Sequence, residues 1–485
     1  MVFSSLIFLY GFFSLSLLVY SFCRSQKSQN MVLLAFSLVF YAWGEPKYIL
    51  LLMFMAFVSW LCALKLEKAD PRGKKLWLSA AVVIEIALIG YFKYAGLICS
   101  IFGEVPQFVQ KIVLPIGISF YTFQLLTYVV DVYRGEAEAQ KRYRNVLLYA
   151  ALFHQCIAGP IVRYKTVDQE LFSGIRRQPE WHIGVSRFCA GLAKKVLLAN
   201  PCGALADSLI LSTDAISNGA LFAENLEALS SLSLEGAWLG IAAYTLHIYL
   251  DFSAYSDMAI GMGRMIGLHY LENFNYPYIS RSVTEFWRRW HMSLGTFFRD
   301  YVYIPLGGNR CSFGRMLLNT FVVWALTGLW HGASWNFVIW GLWSFVFLMV
   351  EKFALKKVLD KVPVISNLYL LVFAMLGWVI FRFTDIRLAL VLVKSLFGLN
   401  GNPLTSFTSH LQLQSHLYLL VVCMVASTPL MKTLGQKIAS LAHSHGCLGK
   451  CWDILFYSLI PAALLLISTA CLVGDSYNPF IYFQF

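Results

Sequence analysis

Two histidines stand where an imidazole can do chemistry. His331 interrupts the apolar run Thr327-Gly-Leu-Trp-His-Gly-Ala-Ser-Trp335. An ionisable group among apolar neighbours is costly unless it faces a cavity or a partner, which makes His331 a candidate functional residue. Burial keeps such a ring neutral, and an unperturbed pKa of ~6.5 suits it to act as a general base. A base of this kind takes the proton from an attacking hydroxyl while a carbonyl oxygen gains charge, the step that acyl transfer needs and one worth about 100- to 10,000-fold. His291 follows the basic aromatic stretch Phe286-Trp-Arg-Arg-Trp290 and is a candidate to support the same site, with a packing role equally open. Arg288, Arg289 and Arg299 can attract the phosphates of a donor, since a guanidinium matches phosphate geometry, or they can snorkel to lipid headgroups.

The elements that must hold these residues are partly legible. Ser282-Val-Thr-Glu285 has capping-box spacing, so a helix is predicted to begin near Val283 and to run on through His291. Phe286, Trp290, Leu294 and Phe297 would share one face and Arg288, Arg289, Met292, Thr296 and Arg299 the others, which describes a basic amphipathic helix at the membrane interface. Ile304 to Asn309 breaks it. Gly328, Gly332 and Ala333 around His331 leave room for a substrate group or for a neighbouring backbone. His247 and Asp251 share a helix face and are expected to pair, with Asp257 on another face; salt bridges to the arginines that follow, or a proton relay, are the two readings for the acids. His154 and Gln155 are expected either to bond between helices or to line the site. No G-x-S-x-G elbow, HExxH helix, Walker A loop or G-x-G-x-x-G turn occurs, which disfavours hydrolase-triad, zinc and nucleotide-binding chemistry.

The frame around them is a membrane. Of 485 residues, 58% are hydrophobic and 13% charged, and apolar segments recur from end to end. A bilayer core of about 30 Å takes roughly 20 apolar residues per helix. The pattern predicts an all-α polytopic bundle of about 11 to 13 membrane segments with re-entrant or interfacial helices, organised as a single domain over 1–485. Phe3 to Phe22 reads as the first span rather than a signal peptide, Met31 to Trp43 as a short piece broken at Gly44 and Pro46, and Ile112 to Val130 as a span. The net charge of +12 sits in short clusters between apolar runs, which fits cytoplasmic loops and excludes a nucleic-acid face. The 11 cysteines are scattered, and His443, His445, Cys447 and Cys451 fit no standard zinc spacing, so no metal site is expected.

Five stretches in order, YLDFSAYSDMAIG, ENFNYPY, FWRRWHMSL, FRDYVYIPLGGNR and LWHGASWNFVIWG, resemble the membrane-bound O-acyltransferase family, in particular its branch of bacterial alginate O-acetyltransferase membrane subunits. The similarity runs from FSSLIFLYGF through LPIGISFYTFQ and HQCIAGPI to the terminal NPFIYFQF. The resemblance implies a catalytic core over about 236–350, with the catalytic histidine falling on His331 and its upstream polar partner on His291. It implies acetyl transfer from a cytosolic thioester, acetyl-CoA, across the bacterial cytoplasmic membrane to an extracellular polysaccharide, alginate-like or another cell-surface polymer. Membrane lipids and a separate extracytoplasmic acetyltransferase would be the partners, with no bound cofactor. The aromatic tail 475–485 is expected to emerge outside, where Tyr482 is a candidate acyl relay, since a phenol of pKa about 10 leaves more easily than an alkyl alcohol. An aromatic belt is the plainer account of the tail. Two alternatives stand beside this reading: D-alanyl transfer to teichoic acid, whose subunits share FWRRWHMSL-like elements, and a non-enzymatic flippase for a lipid-linked saccharide. The IPLGGNR element favours the acetyl branch, and the lack of an inverted repeat disfavours the flippase.

Overall fold

Several helices here begin where a side chain caps them. The computed structural model describes residues 2–157, 159–175, 177–474 and 477–479, all helix and loop with no strand among them. Gln26–Gly44 opens on a capping box in which Ser25 and Ser28 satisfy each other's backbone. It starts several residues before the short piece expected from Met31. The polar residues that hid its beginning are used: Gln26 donates to the Glu170 carbonyl at 2.8 Å, Asn30 donates to that of Leu171 at 2.7 Å, and Gln26 Oε1 accepts from Gly174 N at 2.6 Å. Pro71–Ile89 is capped by Asp70 and has proline in its first turn, where the missing N–H costs nothing.

Ile118–Arg134 begins later than the expected Ile112, because Pro115 and Gly117 hold the chain out of helix. Gly117 has φ 77°, and a Cβ there would lie 2.4 Å from the Cys156 carbonyl oxygen. Only glycine meets both conditions.

Five helices are by themselves long and apolar enough to cross a membrane: Ile49–Lys68, Pro71–Phe102, Trp335–Leu359, Pro363–Arg382 and Cys447–Gly474. Phe407–Ala426 and Leu430–His443 make a sixth candidate if taken together, bent by 64° around Pro429. By length and composition the described residues thus give five or six spans. The larger count read from the sequence is not established, because much of the remaining apolar chain is cut into short helices.

The contacts divide the chain into two compact units, Met1–Cys189 with Tyr255–Glu272, and Ala190–Ala254 with Asn273–Phe485. In the first, Ile49–Lys68 packs against Pro71–Ile89, Ile118–Arg134 and Tyr143–Ala151, and a ring cluster of Phe3, Phe8, Phe12, Phe40 and Phe153 fills the core. Arg187 bridges Asp257 at 2.8 Å and Glu272 at 2.5 Å, so Asp257 pairs with an arginine that precedes it. His154 bonds the Tyr270 hydroxyl at 3.3 Å and Gln155 donates to the Tyr149 carbonyl at 2.8 Å; both stand in the loop after Tyr143–Ala151, so these bonds fix a loop and do not join two helices. The second unit contains the candidate site.

Gly117→Ala is expected to destabilise the protein by about 1–3 kcal/mol, the usual cost of a forced left-handed residue, read as a lower Tm in detergent. Gly96→Ala, where a Cβ meets nothing within 4 Å, is expected to leave Tm unchanged.

Candidate active site

Ser282 caps the first site helix, Val283–Arg289, by accepting from Glu285 N at 3.0 Å, as its spacing predicts. The buried Glu351 carboxylate also sits on this N-terminus, accepting from Val283 N at 2.5 Å and Thr284 N at 3.2 Å, where the exposed amides and the helix dipole favour negative charge. The helix does not run on through His291. It ends at Arg289, and Met292–Phe298 forms a second short helix with His291 between them at φ 42°, ψ 53°.

The break is made by a distant loop. Asn275 N donates to the Arg289 carbonyl at 2.9 Å, the Asn273 carbonyl accepts from Met292 N at 2.9 Å, and Asn273 Oδ1 accepts from Ser293 N at 3.2 Å. The backbone groups that would have continued the helix are spent on this loop. Tyr278 and Asn367 fix the loop in turn: Tyr278 Oη donates to the Thr245 carbonyl at 2.8 Å, and the Asn367 amide donates to the carbonyls of Tyr278 and Ser280 at 2.9 Å each.

At the junction the His291 ring is 2% exposed, edge-on to Phe252 at 4.8 Å and near Trp330 at 5.8 Å between centroids. Its Nδ1 meets Asn273 Oδ1 at 3.2 Å. A left-handed non-glycine residue is a strained one, and such strain gathers at functional sites.

His331 is the last residue of Phe313–His331, which turns through Gly332 into Trp335–Val350. Its ring is buried against Trp330, Trp340 and Phe381, with centroids 4.9, 4.9 and 5.3 Å away. The small residues around it serve a close helix crossing. A Cβ on Gly328 would lie 2.3 Å from the Phe337 carbonyl oxygen, and one on Gly332 would lie 2.2 Å from the Phe337 ring. Of the two uses the sequence left open for these glycines, it is the neighbouring chain that fills the space.

His291 and His331 line one cavity of about 620 Å³, walled by Trp287, Trp324 and Phe298 among others. A second cavity, about 640 Å³, has four cations on its wall, Arg288, Arg299, Lys352 and Lys356, and three acids, Glu285, Glu351 and Asp360. The two share walls at Thr284, Arg288, Gly295, Arg299, Val323 and Trp324. Arg289 lines neither. It is held by Glu285 at 2.8 Å and by the Asn275 carbonyl at 3.2 Å. Arg299 reaches Asp300 at 2.7 Å and keeps much of its side chain exposed. The sequence reading passed over Asn273 and gave Lys352 and Lys356 only a loop role; the paired asparagines of ENFNYPY were the available signal.

The acids expected to pair with His247 and the arginines take other partners. His247 Nδ1 bonds the Ala199 carbonyl at 2.8 Å, while Asp251 meets Lys195 at 2.7 Å in an ion pair only 0–2% exposed. Lys195 also donates to the carbonyl of Pro479. Asn200 donates to the Tyr477 carbonyl at 3.1 Å and the Tyr477 hydroxyl to Asp207 at 2.8 Å, with Arg382 on the same carboxylate group at 2.8 Å. Residues 477–479 of the tail are thus docked on this unit, while Tyr482 lies outside the described residues.

These observations define a multi-pass helical membrane protein with a two-histidine cavity beside one rich in charged side chains. The membrane-bound O-acyltransferase family profile matches residues 34–390. The chain belongs to that family and is an O-acyltransferase. It is 36% identical to a probable alginate O-acetylase AlgI of Azotobacter vinelandii over the whole of both chains. It is 38% identical to the probable alginate O-acetylase AlgI of Pseudomonas aeruginosa, covering 82% of this chain and 75% of that one. A peptidoglycan O-acetyltransferase of Helicobacter pylori is 30% identical, with 83% of this chain and 80% of the relative covered.

Proposed function

We propose that this protein moves acetyl groups from acetyl-CoA in the cytosol toward a polysaccharide outside the bacterial cytoplasmic membrane, in concert with an extracytoplasmic acetyltransferase. The observation that carries the reading is the pair of cavities with shared walls. Four cationic side chains, Arg288, Arg299, Lys352 and Lys356, line one cavity together with the carboxylates Glu285, Glu351 and Asp360, and the other, mostly apolar, holds both histidines and shares Arg288 and Arg299 with it. A donor with a phosphate-rich head and a long thin arm ending in a thioester has that same polarity along its length. Relatives named for acetylating alginate and peptidoglycan support an acetyl group and a glycan acceptor.

In the reaction a hydroxyl oxygen attacks the thioester carbonyl, its proton passes to a histidine, and the C–S bond breaks as the C–O bond is completed. The proton then goes to the departing sulfur, leaving free thiol and a new ester. His331, desolvated by its cage of rings, is the base or acyl-positioning residue, and His291 supports it. The aromatic walls exclude the water that would hydrolyse the thioester. The attacking hydroxyl is that of Tyr482, and its phenyl ester then hands the acetyl group to a hydroxyl on the external partner's side, the phenol taking back a proton as it leaves. The docking of residues 477–479 supports a tail that folds back on its own chain.

With purified protein in proteoliposomes and acetyl-labelled acetyl-CoA, His331→Ala is expected to cut transfer at least about 100-fold at normal protein abundance. Retention of more than a tenth of the rate would exclude the role, and label transfer by the wild type separates an enzyme from a flippase. Arg288→Glu is expected to raise the KM for acetyl-CoA about tenfold or more, with a smaller effect at high salt as screening weakens the contact. Tyr482→Phe keeps the ring and removes the hydroxyl, so surface-polysaccharide acetylation measured by mass spectrometry is expected to disappear. Wild-type acetylation in that variant would end the relay.

A further inference from the structure

Asn273 is 1% exposed and its side-chain oxygen gathers three donors. Ser293 N lies at 3.2 Å, Ser293 Oγ at 2.8 Å and His291 Nδ1 at 3.2 Å. A backbone N–H can only donate, so the Asn273 atom that faces Ser293 N is the carbonyl oxygen and not the amide nitrogen. An oxygen there can only accept, and the Ser293 hydroxyl, 3.4 Å from Nδ1, spends its one hydrogen on that oxygen at 2.8 Å, so His291 Nδ1 carries its own hydrogen. In a neutral imidazole the other nitrogen then bears the lone pair. That nitrogen, Nε2, is buried and has no hydrogen-bond partner among the described residues, in a side chain that lines the two-histidine cavity.

We infer that Asn273 is a positioning residue for acyl transfer, fixing His291 in the tautomer whose Nε2 accepts a hydrogen. The inference rests on His291 taking part in the reaction as proposed above. Two further observations support it. The same asparagine holds Met292 N through its backbone carbonyl, so the peptide bonds on the C-terminal side of His291 and the ring itself are set by one residue. His291 also sits at φ 42°, a conformation the chain keeps only because the loop enforces it. A histidine used for packing alone needs neither a fixed tautomer nor an empty acceptor at a cavity wall. With Nε2 as acceptor, an incoming hydroxyl or thiol hydrogen finds a partner there. If the proton crosses to it, the imidazolium keeps Nδ1–H on Asn273, so no rearrangement is needed between the two states.

Asn273→Asp separates positioning from simple structural support. The carboxylate is nearly isosteric and keeps every acceptor position, and its charge favours the protonated ring, typically by about one to three pH units for a close opposite charge. The acid limb of the pH–rate profile is expected to move to higher pH by about one unit or more, with abundance and Tm near wild type. If the limb stays in place while His291→Ala is inactive, Asn273 does not act through His291 and the inference fails. If His291→Ala is fully active, the reading beneath it fails instead. Should Asn273→Asp not accumulate, Asn273→Ser in the fraction that inserts is expected to lower kcat about tenfold or more at unchanged KM for acetyl-CoA. An unchanged kcat in that fraction would overturn the inference equally.

Discussion

The exchange of backbone hydrogen bonds between Asn273–Asn275 and Arg289–Ser293 is the constraint on which the site depends. A sequence with good helix formers and a sound N-cap would wind straight through His291 and place its ring by helical periodicity alone. The loop prevents this by taking the Arg289 carbonyl and the Met292 and Ser293 amides for itself. Two short helices result, with a turn between them that drives His291 inward. The strain of the left-handed residue is offset by these hydrogen bonds, and those to Asn273 Oδ1 are buried, where each is worth most because water cannot compete.

Around this junction the structure sorts polarity by position. Trp287, Trp324, Trp330, Trp340 and Trp378 form a packed aromatic wall, with neighbouring ring centroids about as close as 4.8 Å. Rings present large apolar surface with little conformational entropy to lose, which makes them suited to a rigid dry chamber. Lys352 and Lys356 line only the more charged cavity, while Arg288 and Arg299 stand on the wall between the two, with long stems that let the charge remain near water. Crossing of Phe313–His331 with Trp335–Val350 is close because Gly328 and Gly341 lie against opposing carbonyls, at 2.3 Å from any added Cβ. A larger residue at either would push the helix bearing His331 away from its cage.

The sequence was informative where local rules decide and silent where distant groups do. Membrane helices, the Ser282 cap and the grouping of His331, His291, Arg288 and Arg299 around neighbouring cavities were all legible from hydropathy, capping spacing and family likeness. The break at His291 was not, since its cause lies in a loop many residues earlier and no propensity at the site requires it. Gln26 and Asn30 masked a helix start for the same reason: polar side chains at a membrane-facing terminus look like loop until their carbonyl partners are known. His247 and Asp251 do share a face, yet a common face does not choose a partner, and Lys195 on another helical segment won the carboxylate. Arg289 was drawn from a cluster by residue type, and its neighbour Glu285 decided its use.

The docking of Tyr477 to Pro479 carries a consequence for how the protein is made. Lys195, Asn200 and Asp207 are synthesised well before residues 477–479, and each of them holds a tail group in the finished fold. Until then their polar groups must be met by water, lipid headgroups or one another. Buried ion pairs such as Lys195–Asp251 give little net stability but discriminate between arrangements of the chain. Packing of this region is therefore completed only once residues 477–479 have been made. The tail acts as a late-arriving keystone, and the helices it secures remain provisional until it has been delivered.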